Sequence, residues 1–167
     1  MLSRRAALSV ALALSAGNVL AGGSVTSQKL FPITRSKNAN IVNYAVRLRD
    51  KRLDLEDPMV AYWVLNAEDG RREGLSWLEE FAYGFNVTSK VTISGFRMRL
   101  KAFSAREIVV EKTADNRYRA AVTIRGRRAI LDKIHVATDE GGVKPTVRYV
   151  DLFGKVGNEA VSERLKP

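Results

Sequence analysis

Residues 40–50, NIVNYAVRLRD, decide the fold class of this 167-residue chain. Apolar and polar side chains alternate along the segment with a period of two. That period is typical of a strand that lays one face on a core and leaves the other to solvent. The face expected to be buried carries Val42, Tyr44, Val46 and Leu48. The segment is therefore predicted to be a half-buried β-strand.

The same period recurs along the rest of the chain. Together with 40–50, the predicted strands cover residues 59–65, 85–93, 96–102, 108–112, 118–124, 129–138 and 146–153. Short connections, such as 68–70 and 125–126, favour antiparallel neighbours. We expect an all-β fold: an antiparallel sheet of about eight strands that closes into a small barrel or sandwich.

One short helix is predicted between the second and third of these strands. Ser76 and Glu79 have the S-x-x-E spacing of a capping box, in which each side chain accepts a backbone N–H bond from the other residue. Gly84 is expected to end the helix in the left-handed conformation. Since two turns are not stable alone in water, we expect the helix to lie on the sheet.

The first 21 residues have the layout of a secretory signal peptide. Arg4 and Arg5 precede an apolar run over 6–16, and Val19-Leu20-Ala21 provides a cleavage site after Ala21. We expect export to the periplasm, while the pair of arginines leaves open whether the general or the twin-arginine route is used. The apolar run is too short to span a bilayer, and no other segment is longer, so no transmembrane helix is expected.

The remaining boundaries follow from composition. Residues 22–34 are expected to form a flexible lead, 35–156 a single β domain, and 157–167 a polar C-terminal tail. The sequence has no cysteine, which excludes disulfides, a thiol nucleophile and a lipid-bearing N-terminal cysteine. The oligomeric state stays open.

The chain is basic, with a net charge of +10. Export makes nucleic acid an unexpected partner, so anionic lipid, lipopolysaccharide or an acidic glycan is the expected one. Arg97, Arg99 and Lys101 alternate along one predicted strand and form a candidate basic face. The alternative for these three residues is a solvated face that prevents edge-to-edge aggregation.

A dense polar cluster precedes the first predicted strand. Its candidate binding residues are Arg35, Ser36, Lys37, Asn38 and Asn40. Guanidinium, ammonium, hydroxyl and amide groups together suit a phosphate or a carboxylate. The alternative is a polar loop whose side chains cap backbone groups.

The same residues carry a resemblance to a known family. R-S-K-N-x-N-x-V-x-Y over 35–44, D-P-x-V-x-Y-W over 57–63 and A-Y-G-F over 82–85 resemble the bacterial secreted family catalogued as domain of unknown function 4833. The resemblance runs in order over most of 35–153. It implies no activity. It implies only that the cluster and Tyr83-Gly84 belong to the family's pattern.

Catalysis has little support in the sequence. His135 is the only histidine, and it faces away from Ile134 and Val136 in its predicted strand. No second histidine and no cysteine can complete a metal site with it, so no metal, cofactor or catalytic residue is assigned.

The leading hypothesis is an exported, non-catalytic binding or envelope-associated domain for an amphiphile or an anionic lipid or glycan. Its site would combine the polar cluster with the aromatic residues Tyr44, Trp63 and Tyr83. The alternative is a hydrolase or lyase that acts on envelope glycans or lipids with carboxylates near Arg35–Asn40. A third possibility is a small structural partner of another envelope protein.

Overall fold

The computed structural model describes residues 24–139 and 146–166. The expected signal peptide and its cleavage site lie outside these residues.

Twelve strands and one helix make up the described part of the chain. In chain order they are β1 (Val25–Arg35), β2 (Ile41–Arg49), β3 (Arg52–Leu53), β4 (Met59–Val64), β5 (Arg72–Gly74), α1 (Glu79–Tyr83), β6 (Phe85–Val87), β7 (Gly95–Leu100), β8 (Phe103–Lys112), β9 (Tyr118–Ile124), β10 (Arg127–Asp139), β11 (Thr146–Val156) and β12 (Glu159–Leu165).

All twelve strands belong to one sheet that curls into a half-barrel. The main order is β5-β4-β2-β1-β10-β9-β8-β7-β6, while β3 pairs with β2, and β11 and β12 continue from the other side of β10. The all-β prediction with one short helix is confirmed. Most neighbouring strands are antiparallel. β1 and β10 run parallel, and the nine elements between them in the chain provide the long connection that a parallel pair needs.

The core lies on the concave face of the half-barrel and forms one apolar cluster. Phe31 on β1 stacks on Tyr44 on β2, with ring centroids 4.8 Å apart, and both side chains are fully buried. The face of β2 predicted to be buried is confirmed for Val42, Tyr44 and Val46, but the strand is not half-buried, because Asn43 and Ala45 on its other face are buried too and Leu48 is only partly buried. The remaining large side chains with no exposure come from β7–β11, so every long section of the sheet contributes to the cluster.

The predicted lead, as far as it is described, is a strand. Residues 25–33 of β1 pair with β2, and Phe31 and Ile33 are core residues. A β-bulge between Lys29 and Phe31 shifts the register and breaks the period of two that would have revealed the strand in the sequence.

The predicted C-terminal tail is also a strand. β12 pairs with β11 along its whole length, and Val161 and Leu165 pack against the core cluster. Charged side chains interrupt its apolar pattern, so the sequence did not indicate a strand. In the structure they meet cations of other strands, since Glu163 contacts Arg106 at 2.6 Å and Glu159 contacts Arg127 at 2.8 Å.

The helix differs from expectation in its end and its packing. The two capping-box bonds form, from Ser76 N–H to Glu79 Oε2 at 2.8 Å and from Glu79 N–H to Ser76 Oγ at 3.4 Å. Gly84 has a φ of −67°, so it is not left-handed. Glycine is needed there because a Cβ would lie 2.2 Å from the Glu80 carbonyl oxygen. The apolar side chains Trp77, Leu78 and Phe81 of this segment are exposed and do not cover the sheet.

Truncating Phe31 tests whether residues 25–35 belong to the fold. Phe31→Ala should lower the free energy of unfolding by about 3–5 kcal/mol, because it removes a fully buried ring from the core. Val25→Ala, on the same strand but 58% exposed, should change it by less than about 0.5 kcal/mol. Urea unfolding followed by circular dichroism measures both. Equal, negligible effects would contradict the position of β1.

Candidate functional site

A cavity of about 530 Å³ lies at one end of the half-barrel. It is enclosed by the end of β1, α1, the β7–β8 hairpin and the paired strands β10, β11 and β12. Its walls are mostly apolar and include Leu100, Phe103, Ile134, Val136, Val150 and Leu165. A larger depression of about 730 Å³, beside Pro32, Lys133 and Phe153, is more open to solvent. The 530 Å³ cavity is the better-formed site for an apolar ligand.

Three cationic side chains line this apolar cavity: Arg35, Lys37 and Lys166. Arg35 is the last residue of β1, and Lys37 follows it in the turn to β2. Both come from the polar cluster identified in the sequence. The parallel pairing of Arg35 with Val136 on β10 places this cluster beside the apolar walls.

The guanidinium of Arg35 is held by aromatic rings. Its Cζ lies 4.5 Å from the centroid of the Trp63 ring and 5.9 Å from that of Tyr83. The two rings meet edge to face at 5.1 Å. Nη2 of Arg35 donates to Asn38 Oδ1 at 3.1 Å, and Nη1 lies 3.5 Å from the Tyr83 hydroxyl. Cation–π contacts of this kind fix a guanidinium without neutralising its charge.

Arg35 makes no ion pair with a carboxylate of the described residues, and its buried Nε has no hydrogen-bond partner there. Arginines on the convex face behave differently. Many of them lie within 4.0 Å of a carboxylate: Arg47, Arg49, Arg97, Arg99, Arg106, Arg119, Arg127, Arg128 and Arg164. Arg72 and Arg117 also lack such a partner among the described residues. Arg35 combines this lack with a position at the wall of the 530 Å³ cavity.

Glu79 supports this aromatic platform from the helix. Its carboxylate accepts bonds from the Trp63 indole N–H at 2.9 Å, from Ser76 N–H at 2.8 Å and from the Ser76 hydroxyl at 2.7 Å. Burial raises the pKa of Glu79, but the bonds from Ser76 and Trp63 and the charge of Arg35 outweigh burial and lower it. Glu79 is therefore an ionised acceptor that holds Trp63 in position under Arg35.

Ser36, Asn38 and Asn40, the other members of the polar cluster, shape the turn between β1 and β2. The Ser36 hydroxyl accepts from Thr138 N–H at 3.1 Å, and Asn38 Oδ1 accepts from Asn40 N–H at 3.2 Å. Asn40 is buried, and its Oδ1 accepts from Ala67 N–H at 2.8 Å. The structure thus divides the cluster into cavity-lining cations and residues that cap backbone groups.

Tyr44 and Tyr83, two of the candidate aromatic residues, are linked to each other. Tyr83 lines the cavity, whereas Tyr44 is fully buried in the core and does not line it. The Tyr44 hydroxyl donates to the Tyr83 carbonyl oxygen, and burial raises the pKa of Tyr44. Tyr44 therefore anchors the helix from the core, and Trp63 and Tyr83 provide the aromatic surface beside Arg35.

The candidate basic face is partly neutralised, because its three cations contact two carboxylates. Arg97 and Arg99 on β7 contact Glu107 on β8 at 2.9 and 3.7 Å. Lys101, which lies in the turn after β7, contacts Glu80 of α1 at 3.3 Å. The sequence could not show these pairs, because they depend on strand register and on the position of the helix.

His135 lies on the convex face, opposite the cavity-lining Ile134 and Val136. Thr34, His135, Asp151 and Arg164 are successive cross-strand partners on β1, β10, β11 and β12. The Thr34 hydroxyl lies 3.0 Å from His135 Nδ1, but Asp151 accepts two bonds from Arg164 at 2.8 Å. These bonds lower the pKa of Asp151. Within the described ranges, no three histidine or acidic side chains are grouped as a metal site would require.

Several wall residues could not be identified from the sequence. Val136 and Val150 belong to predicted strands whose alternation indicates burial but not a shared cavity, and Phe103 lies between two predicted strands. Leu165 and Lys166 fall in the segment that was expected to be a tail. The pairing of β11 with β12, which brings them to the cavity, has no signal in the sequence.

Comparison with known proteins identifies one family. The model of the family described as Domain of unknown function (DUF4833) matches residues 31–164. No curated protein and no solved structure matches the chain. No helix of the described residues is long and apolar enough to cross a bilayer.

The ionised state of Glu79 predicts a pH-dependent contribution to stability. Because its folded pKa lies below the unfolded value of 4.5, the contribution is complete above pH 4.5 and is lost as the pH falls through the folded pKa. Glu79→Gln should lower the free energy of unfolding by about 1–2 kcal/mol at pH 7 and by less at pH 3. Chemical unfolding at both pH values measures this.

Glu73→Gln is the matched control, because it removes the same charge from an exposed strand where the carboxylate approaches only Arg71, at 4.0 Å. It should change the free energy of unfolding by less than about 0.5 kcal/mol. If Glu79→Gln costs the same at pH 3 and pH 7, the carboxylate charge is not what holds Trp63.

Proposed function

The chain belongs to the DUF4833 family, and we propose that it is an exported, non-catalytic protein that binds a single-chain amphiphile with an anionic headgroup. The apolar walls of the 530 Å³ cavity receive the chain, and Arg35 receives the headgroup. The observation that carries this proposal is a guanidinium that is fixed on Trp63 and Tyr83 at the cavity wall and has no carboxylate partner among the described residues.

The size of the cavity supports this ligand class. Pockets for small molecules typically enclose about 300–1,000 Å³ and combine apolar walls with a few polar groups. The cavity falls in that range, and its charged lining residues are Arg35, Lys37 and Lys166. An anionic head on an apolar chain matches this distribution of charge better than a fully polar glycan does.

The hydrolase or lyase alternative has weaker support. It requires a carboxylate near Arg35 that can accept or donate a proton. Glu79, whose pKa the charge of Arg35 helps to lower, already accepts three hydrogen bonds. His135 is on the opposite face of the sheet. We therefore favour binding over catalysis.

Replacing Arg35 tests the headgroup site. Titration with a long-chain fatty acid, followed by calorimetry, should show binding to the native protein that falls about ten- to a hundredfold in Arg35→Gln, because charge-assisted hydrogen bonds are lost. The corresponding fatty alcohol should bind both proteins equally. Arg127→Gln, on the convex face, is the matched control and should bind the acid like the native protein.

A second variant keeps the charge and removes space. Val136→Phe narrows the apolar wall and should weaken binding of the acid and the alcohol alike. Circular dichroism checks that each variant is folded. Unchanged binding of the acid by both Arg35→Gln and Val136→Phe would refute the proposed site.

Export is tested separately. When the full chain is produced in a bacterial host, the expected protein accumulates in the periplasm and begins at Gly22, because cleavage follows Ala21. The intact mass of the purified protein measures this. Replacement of Arg4 and Arg5 by lysines distinguishes the routes, since the twin-arginine route requires the arginine pair. A cytoplasmic protein that retains residues 1–21 would contradict the proposal.

A further inference from the structure

The helix segment beside the cavity presents three large apolar side chains to solvent. Trp77 is 72% exposed, Leu78 61% and Phe81 69%. Trp77 and Phe81 meet edge to face, with ring centroids 6.2 Å apart, and Leu78 lies between them in the chain. These three exposed residues are called the apolar knob. Single exposed apolar residues are ordinary, but a contiguous aromatic patch marks an interaction site.

The exposure of this apolar knob is imposed by the framework behind it. The Tyr44 hydroxyl binds the Tyr83 carbonyl oxygen at one end of the helix, and Trp63 binds Glu79 at the other. The N–H of Lys101 donates to the Gly84 carbonyl oxygen at 2.9 Å. These bonds hold the helix with its apolar side chains pointing outward, so the knob cannot fold onto the sheet without breaking them.

The charges of the two acidic residues of the helix are offset by nearby cations. Glu80 pairs with Lys101 at 3.3 Å, and the charge of Arg35 acts on Glu79 and helps to lower its pKa. Ala82 and Tyr83, which follow the knob directly, line the same cavity as Arg35 and Lys166. Lys166 has no carboxylate partner among the described residues, and the whole chain carries a net charge of +10. The apolar knob therefore adjoins a cavity whose charged lining residues are cations.

We propose that the apolar knob of Trp77, Leu78 and Phe81 inserts into the interfacial region of an anionic lipid bilayer. Tryptophan and phenylalanine flanked by basic residues suit that region, where rings are buried and cations meet anionic headgroups. Docking in this way directs the mouth of the cavity towards the bilayer. The inference goes beyond amphiphile binding and does not require that the cavity be occupied.

Trp77 provides a direct readout. The chain has two tryptophans, and Trp63 is only 5% exposed, so a change of solvent exposure on docking reports on Trp77. Vesicles of phosphatidylcholine with a minor fraction of phosphatidylglycerol should bind the protein at low salt, shift its emission to the blue and protect Trp77 from acrylamide. Pure phosphatidylcholine vesicles should bind more weakly, and added salt should weaken binding to the anionic vesicles.

The double variant Trp77→Ser/Phe81→Ser should bind the anionic vesicles at least about tenfold more weakly in a sedimentation assay. Ile93→Ser is the matched control: it removes an equally exposed apolar side chain, 59% exposed, from the β6–β7 connection, and should bind like the native protein. The native protein, the double variant and Ile93→Ser are produced with the same native N-terminus. Circular dichroism confirms that each is folded.

Three results would each overturn the inference. The first is native-level vesicle binding by the double variant, and the second is vesicle-bound native protein whose Trp77 stays accessible to acrylamide. The third is failure of the native protein to bind the anionic vesicles at low salt. Titration of the double variant with the fatty acid separates this inference from the cavity proposal. Unchanged affinity there leaves the cavity site intact, whatever the vesicle assay shows.

Discussion

The parallel pairing of β1 with β10 is the constraint on which the site depends. Only Ile33, Thr34 and Arg35 take part, opposite Ile134, His135 and Val136. This short ladder joins the N-terminal strands β1–β5 to the C-terminal strands, because among the described residues β1 is the only strand of the first group that pairs with the second. The same three pairs carry Arg35 to the wall formed by Val136. The cavity therefore depends on this ladder, because the ladder places Arg35 beside Val136.

The open side of the half-barrel is held by side chains, since the edge strands β5 and β6 do not pair with each other. The helix lies between them in the chain. It is tied to β2 by the Tyr44 hydroxyl and to β4 by the bond between Trp63 and Glu79. The bond from the buried Trp63 indole to the ionised Glu79 carboxylate is stronger than a bond between neutral groups. Together with the Tyr44 bond, it can hold a helix of five residues that is too short to be stable alone.

Local patterns predicted much of the fold, and long-range pairing explains most of what they missed. The alternation at β2, β7 and β9 was sufficient, because each of these strands places one face on the core without interruption. It failed at β1, where a bulge shifts the register, and at β12, where charged residues pair with other strands. The cluster of Arg35 and Lys37 was visible in the sequence as a polar segment. Its apolar complement was not, since Phe103, Val136 and Leu165 meet only through the topology of the sheet.

The distribution of charge shows why a high net charge alone would not have located this cavity. Many arginines of the convex face are paired with carboxylates of neighbouring strands, so their fields are partly cancelled at short range and further screened by salt. Arg35 lies at the cavity wall, where aromatic rings rather than a carboxylate hold its guanidinium. A cation–π contact leaves the positive charge available to a third group, whereas an ion pair with a carboxylate neutralises that charge. What identifies the proposed binding position is therefore a cation held by aromatic rings at the wall of an apolar cavity, rather than the number of cations nearby.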